Sequence, residues 1–391
     1  MTLTDQLKAE CASRSLNYIG IRGNPYAPIC VVGEAPGADE DQAGLPFVGT
    51  SGKEQDRMLS EAGIDPTDVW FTNPYKVRPP ENDLSALHTL GIPLTVFENQ
   101  FFEELRTYRP AVIIAAGATP MRLLCPQTAI RGHQKQPEYP IGKWRGSLLT
   151  SSRLPWPHYV IPVQHPTYIL REWSERQISV MVYQRACEEW TYVHKNGLLN
   201  SLPLRQVLLA PSYEMLSDRL RVIADQRQRI SVDIEILWQR ESKKFNTKSG
   251  RLLYTIALAV SPYDGLAFCF WDYSTPQLAN IFKLLNQALK NNRQIGQNYL
   301  SFDCHWLAAV GLEPNVDLVD DTLIGHHVMY LELPHTLAFQ TMQYTREPYY
   351  KDEGRQWYVG DDKRQLLKYN VKDALVTFEI QLAQEEERNG K

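Results

Sequence analysis

The chain reads as two successive α/β domains: a parallel-sheet α/β/α unit, then a unit built on a mixed sheet. Three observations carry this reading. The 391 residues exceed what one ordinary core organises. In the first half, short apolar runs alternate with helical patterns, the signature of parallel strands joined by helical crossovers. In the second half, three β-rich runs follow one another and helices come after, which suits an antiparallel meander within a mixed sheet.

Taken in order, the strand candidates of the first half are PICVVGEAP, VWFTN, AVIIAAG and HYVIPVQHP. GKEQDRMLSEAG and VFENQFFEELRTY are helical stretches between them. Each strand run ends in a polar or glycine-bearing turn, and ligands of open parallel sheets collect at those carboxyl ends. A helix ending near CEEWTYVHKNG closes the unit. The boundaries are therefore set at residues 1–195 and 205–391, with a linker over 196–204 where LLNSLPLRQ forms a short connector. VLLAPSYEMLSDRLRVIADQ follows, then the strands ISVDIEIL, RLLYTIALAVS and GLAFCFW, then helices.

Composition bounds the function. Hydrophobic content of 43% with 22% charged residues is that of a soluble globular protein. A net charge of -4 supplies no global basic field, so any grip on nucleic acid comes from local patches. The six cysteines are scattered without a C-x-x-C, which argues against a disulfide or zinc framework and fits a reducing cytosol. The N-terminus lacks a secretory pattern and no run reaches membrane-spanning length. The expectation is a cytoplasmic protein, bacterial or in an infected host cell, with no membrane association.

Five residues carry the sharpest chemical signal: Asp233, Glu235, Asp303, Tyr369 and Asp373. Asp233 and Glu235 are two apart in a β-branched run, so a strand points both carboxylates to one face. Tyr369 and Asp373 are four apart in a helical run, stacked one turn apart. Any one of these acids alone is more often a solvated surface group or a cap. Together they suit an oxygen cage for two hard divalent cations, Mg²⁺ or Mn²⁺, with a phenol to orient water.

The blocks that hold them, VDIE, GQNYLSFD and YNVKD, resemble in order and spacing the DnaQ-like 3'-5' exonucleases of the DEDDy type. The proofreading domains of family A DNA polymerases are especially similar, and the likeness covers residues 203 to 391. It implies an RNase H-like fold and two-metal phosphodiester hydrolysis. By that resemblance Asp233, Glu235 and Asp373 hold the nucleophile-side metal, Asp233 and Asp303 serve the second, and Tyr369 holds the attacking water. Phe302 is a candidate to pack on the frayed 3'-terminal base.

Residues 1 to about 195 carry a second resemblance. VVGEAPGADEDQAGLPFVGTSG, VWFTNPYKVRPPEN and VQHPTYILR look like the family-4 uracil-DNA glycosylases, whose working residues fall at Glu34, Phe47, Asn73 and His165. Chemistry explains the set, because uracil must leave the stack before its glycosidic bond is reached. Phe47 would sandwich the flipped ring, Asn73 would read its amide edge, and His165 would donate to O2 as the uracil anion departs. Gly33 and Gly37 permit close backbone approach, and Glu34 would position water or stabilise the sugar cation. Glu40 and Asp41 are lesser contributors. Tyr168, Ile169 or Leu170 would wedge into the duplex, while Lys143 and Arg145 in GKWRG would meet phosphates.

That family binds a 4Fe-4S cluster through four cysteines. Here Cys11 is retained, but Arg14 and Val77 stand at two of the other positions, and Glu98 and Asn99 occupy the region of the fourth. A cluster-free domain is expected, since four thiolates are needed. The combined expectation is a bifunctional DNA-processing enzyme, acting in repair or proofreading on uracil-containing DNA and single-stranded 3' ends. Such fusions resemble the N-terminal part of phage replicative polymerases, and a separately encoded DNA polymerase is the expected partner. The alternative keeps the exonuclease active and makes the glycosylase fold a non-catalytic uracil sensor, DNA clamp or polymerase-docking module.

Overall fold

A five-stranded sheet organises residues 1–201 and a six-stranded sheet residues 202–391. The computed structural model describes residues 2–131, 137–238, 251–355, 357 and 361–390. In the first unit the strands are β1 (Arg22–Gly23), β2 (Ile29–Val32), β3 (Val69–Thr72) and β4 (Val112–Ala116). A separate antiparallel pair follows, β5 (Ile130–Arg131) and β6 (Pro137–Glu138), and then β7 (Tyr159–Val163).

The sheet order is β1-β3-β2-β4-β7, parallel except where short β1 runs against β3. Strands such as ICVV and VIIAA are buried at every residue, as a parallel sheet covered on both faces requires. Phe101, Phe102 and Leu105 of the helix Leu94–Tyr108 pack with Cys30, Val32 and Ile113 on one side. β3 lies to one side of β2 and β4 to the other, so the crossovers diverge there and leave a crevice at the strand ends. β2, β3, β4 and β7 end at Val32, Thr72, Ala116 and Val163. The turns that follow carry Gly33, Glu34, Asn73, Gly117 and His165.

Behind Asn73 lies a buried ion pair. Lys76 is fully buried, with Nζ 2.9 Å from both carboxylate oxygens of Glu104 and 2.5 Å from the Thr72 hydroxyl. Gln100 donates to the same carboxylate. Two charges out of water are tolerated here because every short contact is a hydrogen bond.

In the second unit the strands are β8 (Gln206–Leu209), β9 (Arg229–Trp238), β10 (Arg251–Ser261), β11 (Asp264–Cys269), β12 (Arg293–Gly296) and β13 (Val319–Asp321). Their order is β13-β12-β9-β10-β11-β8. The meander β9-β10-β11 is antiparallel, as its three consecutive runs predict, while β12 and β13 add in parallel. Gln206–Leu209, not expected as a strand, forms the edge strand β8 beside β11.

The two faces of this sheet differ. Ile230, Val232 and Ile234 of β9 join a large apolar core with Leu220 and Leu285. On the other face Ala257, Ala259 and Ala267 present only methyl groups, which lets the helix Lys363–Arg388 lie close through Leu367, Val371 and Leu375. Strand alternation turns Asp233 and Glu235 toward this helix, opposite Ala257 and Thr255. Among the described residues no helix is long and apolar enough to cross a membrane.

Candidate active sites

Asp233 and Glu235 leave β9 on one face, and Asp373 descends from the last helix to meet them. One carboxylate oxygen from each of the three lies within 4.8 Å of the others. Asp303 arrives from the first turn of the helix Asp303–Ala309, is buried, and takes backbone hydrogen bonds at Ile234 and at its own amide. The turn delivering it is held by Asp321, which accepts from the backbone of Asn298 at 3.0 Å and Leu300 at 3.2 Å. Tyr369 sits one helical turn before Asp373 and is buried. Phe302, beside Asp303, is 41% exposed and open to a ligand.

Acids packed this closely raise one another's proton affinity. Burial, then the charges of Asp373, Asp303 and Glu235, hold Asp233 well above the ordinary carboxyl range. Burial and Asp373 push Glu235 up to about 8, against the lowering pull of Lys351. Burial raises Asp303 likewise. Closely packed carboxylates of this kind are the oxygen donor set that hard divalent cations satisfy. The residues present therefore fit such ions, with Asp233, Glu235 and Asp373 able to share one.

Three further residues shape this site without standing out in the sequence. Asn370, fully buried, donates to Asp233 Oδ2 at 2.6 Å while its own oxygen accepts from Thr255 at 2.9 Å. Tyr350 donates its hydroxyl to Asp373 Oδ1 at 2.6 Å, and Lys351 donates to Oδ2 at 2.5 Å. Asn370 lies inside the YNVKD block, so its position one residue after Tyr369 was a usable signal; nothing marked Tyr350 or Lys351.

In the first unit, Gly33, Phe47 and Asn73 converge. A Cβ added to Gly33 would lie 2.5 Å from Asn73 Oδ1 and 2.6 Å from Phe47 Cζ, so glycine is required. Phe47 adopts a left-handed φ of 56°, unusual for an aromatic residue and tolerated where the surroundings over-determine it. Its carbonyl oxygen would be 2.0 Å from a Cβ on Gly52, and its loop is gathered by Glu40. Glu40 accepts from the amides of Gly37 at 3.1 Å, Val48 at 3.0 Å and Gly49 at 2.8 Å, which engages that carboxylate in loop structure.

Glu34 accepts the Thr119 hydroxyl, tying the turn after β2 to the start of the helix Ala118–Leu124 that follows β4. Gly117 sits beside His165 at φ 105°, a left-handed conformation that favours glycine. Burial lowers the His165 pKa to about 4, so the ring is neutral near pH 7. Its Nδ1 accepts from the Thr167 amide at 3.2 Å, which assigns the proton to Nε2 as a hydrogen-bond donor.

The remaining candidates separate. Arg145 is ion-paired with Glu175 and mostly buried, and Lys143 lies half-buried on the short helix Ile141–Trp144. Ile169 is fully buried, whereas Tyr168 and Leu170 are exposed. Cys11 and Val77 share an apolar cluster with Phe97, and burial raises the Cys11 thiol to about 11. Arg14 pairs with Glu10, and Glu98 accepts from Tyr75. One neutral thiol, an alkyl group, a guanidinium and a carboxylate do not fit a 4Fe-4S cluster.

Comparison with known proteins bears on the first unit. The family model described as the uracil DNA glycosylase superfamily matches residues 21–188. The type-4 uracil-DNA glycosylase of Thermotoga maritima is 30% identical over 186 residues, 46% of this chain and 85% of that protein. The type-4 enzyme of Saccharolobus solfataricus is 32% identical over 158 residues, 39% of this chain and 67% of that one. With the Archaeoglobus fulgidus type-4 enzyme, identity is 47% over 75 residues, which spans 19% of this chain and only 38% of the relative. Among solved structures, the Nibbler EXO domain of Aedes aegypti is similar with a TM-score of 0.37 at 16% identity, covering 49% of this chain and 93% of that one.

Proposed function

The chain belongs, through its first domain, to the uracil DNA glycosylase superfamily, and from that premise we propose a bifunctional DNA-processing enzyme. Its first domain flips and excises uracil, and its second removes nucleotides from DNA 3' ends by metal-dependent hydrolysis. The observation that carries the nuclease half is the meeting of Asp233, Glu235 and Asp373 within 4.8 Å. For the glycosylase half it is the convergence of Gly33, Phe47 and Asn73 at the strand ends, with a neutral His165 beside Gly117.

In the first domain, Phe47 stacks on the extruded base and the Asn73 amide pairs with its edge, donor to acceptor and acceptor to donor. His165 Nε2–H donates to the oxygen on which negative charge grows as the glycosidic bond breaks. A neutral donor suits this task because it needs no proton uptake at working pH. Glu34, held by Thr119, is assigned as the group that orients water. Tyr168 and Leu170, exposed two residues apart, fit the wedge role and Ile169 does not.

In the second domain Asp233, Glu235, Asp303 and Asp373 would hold Mg²⁺ or Mn²⁺. Such ions, when bound, activate water and neutralise charge on the leaving 3'-oxygen. Tyr369 orients the water, Phe302 packs on the terminal base, and Asn370 fixes the Asp233 carboxyl. The partner is DNA, bearing uracil or a frayed 3' end, in the cytoplasm of a bacterium or infected host. A DNA polymerase supplies the ends to be trimmed, so the nuclease acts in proofreading.

Two assays test this. A labelled single-stranded oligonucleotide with Mg²⁺ should shorten from its 3' end, and Asp233→Ala should abolish shortening; no shortening with either Mg²⁺ or Mn²⁺ rejects the nuclease half. A uracil-bearing oligonucleotide in EDTA should acquire alkali-labile sites without shortening. Tight binding with the uracil left in place would instead make the first domain a sensor.

A further inference from the structure

Asp373 is approached from two sides by consecutive residues that differ in kind. Tyr350 is 3% exposed, and its hydroxyl donates to Oδ1 at 2.6 Å, a buried contact. Lys351 is half-buried, and its ammonium donates to Oδ2 at 2.5 Å. The same ammonium lies 4.6 Å from the centre of the Tyr369 ring, whose π-face favours a cation. Lys351 thus touches both the acid and the phenol of the third motif. It is a monovalent cation held where the acidic cluster most needs positive charge.

From this geometry we propose that Lys351 is an internal counter-cation that competes with the divalent ion for Asp373. The inference rests on the metal-dependent reading of this site. In the metal-free protein Lys351 balances the charge of Asp373 beside Asp233 and Glu235 and keeps the acids assembled. Loading requires the ammonium to leave Oδ2, while Tyr350 keeps Oδ1 and so keeps the carboxylate aimed. Lys351 is a positioning residue in this scheme, because it acts through Asp373. Its long stem and partial exposure permit the swing, and the Tyr369 ring offers the displaced charge a resting surface. The nuclease is thereby made responsive to divalent ion concentration: a weakened first binding step is the cost of an empty site that does not fly apart.

The test uses the full-length protein and MnCl₂ alone, without DNA. Calorimetric titration of Lys351→Met should give a Kd lower than wild type by about ten-fold, equivalent to about 1.4 kcal/mol of removed competition. Lys351→Arg, which keeps the charge, should stay near wild type. In EDTA the Met variant should melt at a lower temperature than wild type, and saturating Mn²⁺ should close that gap. A gap that persists at saturating Mn²⁺ is the result a merely structural ion pair gives, and it overturns the proposal; so does an unchanged or weaker Kd. A Met variant that fails to fold even with Mn²⁺ present overturns it too, because the ion should stand in for the lost ammonium. Wild-type protein showing no Mn²⁺ binding that Asp233→Asn removes would instead sink the metal-site reading itself.

Discussion

Asn370 holds Asp233 by a 2.6 Å hydrogen bond from its side-chain amide, one residue along the helix from Tyr369. The amide is itself fixed by the Thr255 hydroxyl across β10. Asp233 is crowded by Asp373, Asp303 and Glu235, so an outside donor helps orient its carboxylate. Asn370→Ala should therefore lower 3'-end hydrolysis by about 10- to 100-fold, the range typical of partners that orient metal ligands. Uracil release should be untouched. Steady-state rates for both reactions on one preparation check this, and equal losses in the two would point to misfolding.

Gly33→Ala tests the other domain. The added methyl would lie 2.5 Å from Asn73 Oδ1 and 2.6 Å from Phe47 Cζ, so both proposed base contacts must shift. The outcome expected is loss of uracil release with 3'-end hydrolysis retained. A crystal structure or thermal melt of the variant should show the strand preserved, since Gly33 follows β2 and does not belong to its core. Undiminished uracil release would remove the pocket from the mechanism.

The Lys76–Glu104 pair makes a stability prediction with a clear magnitude. Both side chains are nearly inaccessible, with Nζ 2.9 Å from each carboxylate oxygen. Removing one partner strands a buried charge, and that error costs about 3–5 kcal/mol. Glu104→Ala should therefore unfold the first domain at much lower denaturant concentration, whereas the double change Lys76→Met with Glu104→Leu should recover much of the loss. Equilibrium urea unfolding followed by near-ultraviolet dichroism resolves the difference. A single variant as stable as the double would show the pair is solvated.

What could be read from the sequence, and what could not, divides along physical lines. Local periodicity exposed β2, β3, β4, β7 and the β9-β10-β11 meander, because each is a run of apolar or β-branched residues bounded by turn chemistry. It could not expose β8, whose exposed edge residues show no alternation, only a backbone partnership with β11. The spacing of Asp233 with Glu235 and of Tyr369 with Asp373 was legible because strand and helix repeats fix which side chains share a face. Lys351 was not legible: it comes from a turn whose side-chain direction depends on tertiary contacts, 22 residues from the Asp373 it touches. Nor could sequence show that Glu40 is consumed by the loop it precedes, or that Arg145 is paired with Glu175.

His165 supplies a pH prediction whose sign follows from its burial. The folded-state pKa lies at about 4, against the ordinary histidine value of 6.5 in the unfolded chain. Between those values the unfolded chain binds a proton that the folded chain refuses, so folding stability falls as pH drops from 6.5 toward 4. Above pH 6.5 both states are neutral and the contribution is flat. His165→Gln removes the difference, so wild type should lose thermal stability relative to this variant on going from pH 7.5 to pH 5, and the two curves should run parallel above pH 7. Because the ring stays neutral with Nε2 protonated across that window, uracil release should show no acid limb centred near 6.5. An NMR titration of the His165 ring decides the matter directly: a midpoint near 6.5 in the folded protein would mean that the ring is solvated and charged in acid, and the neutral-donor mechanism would have to be abandoned.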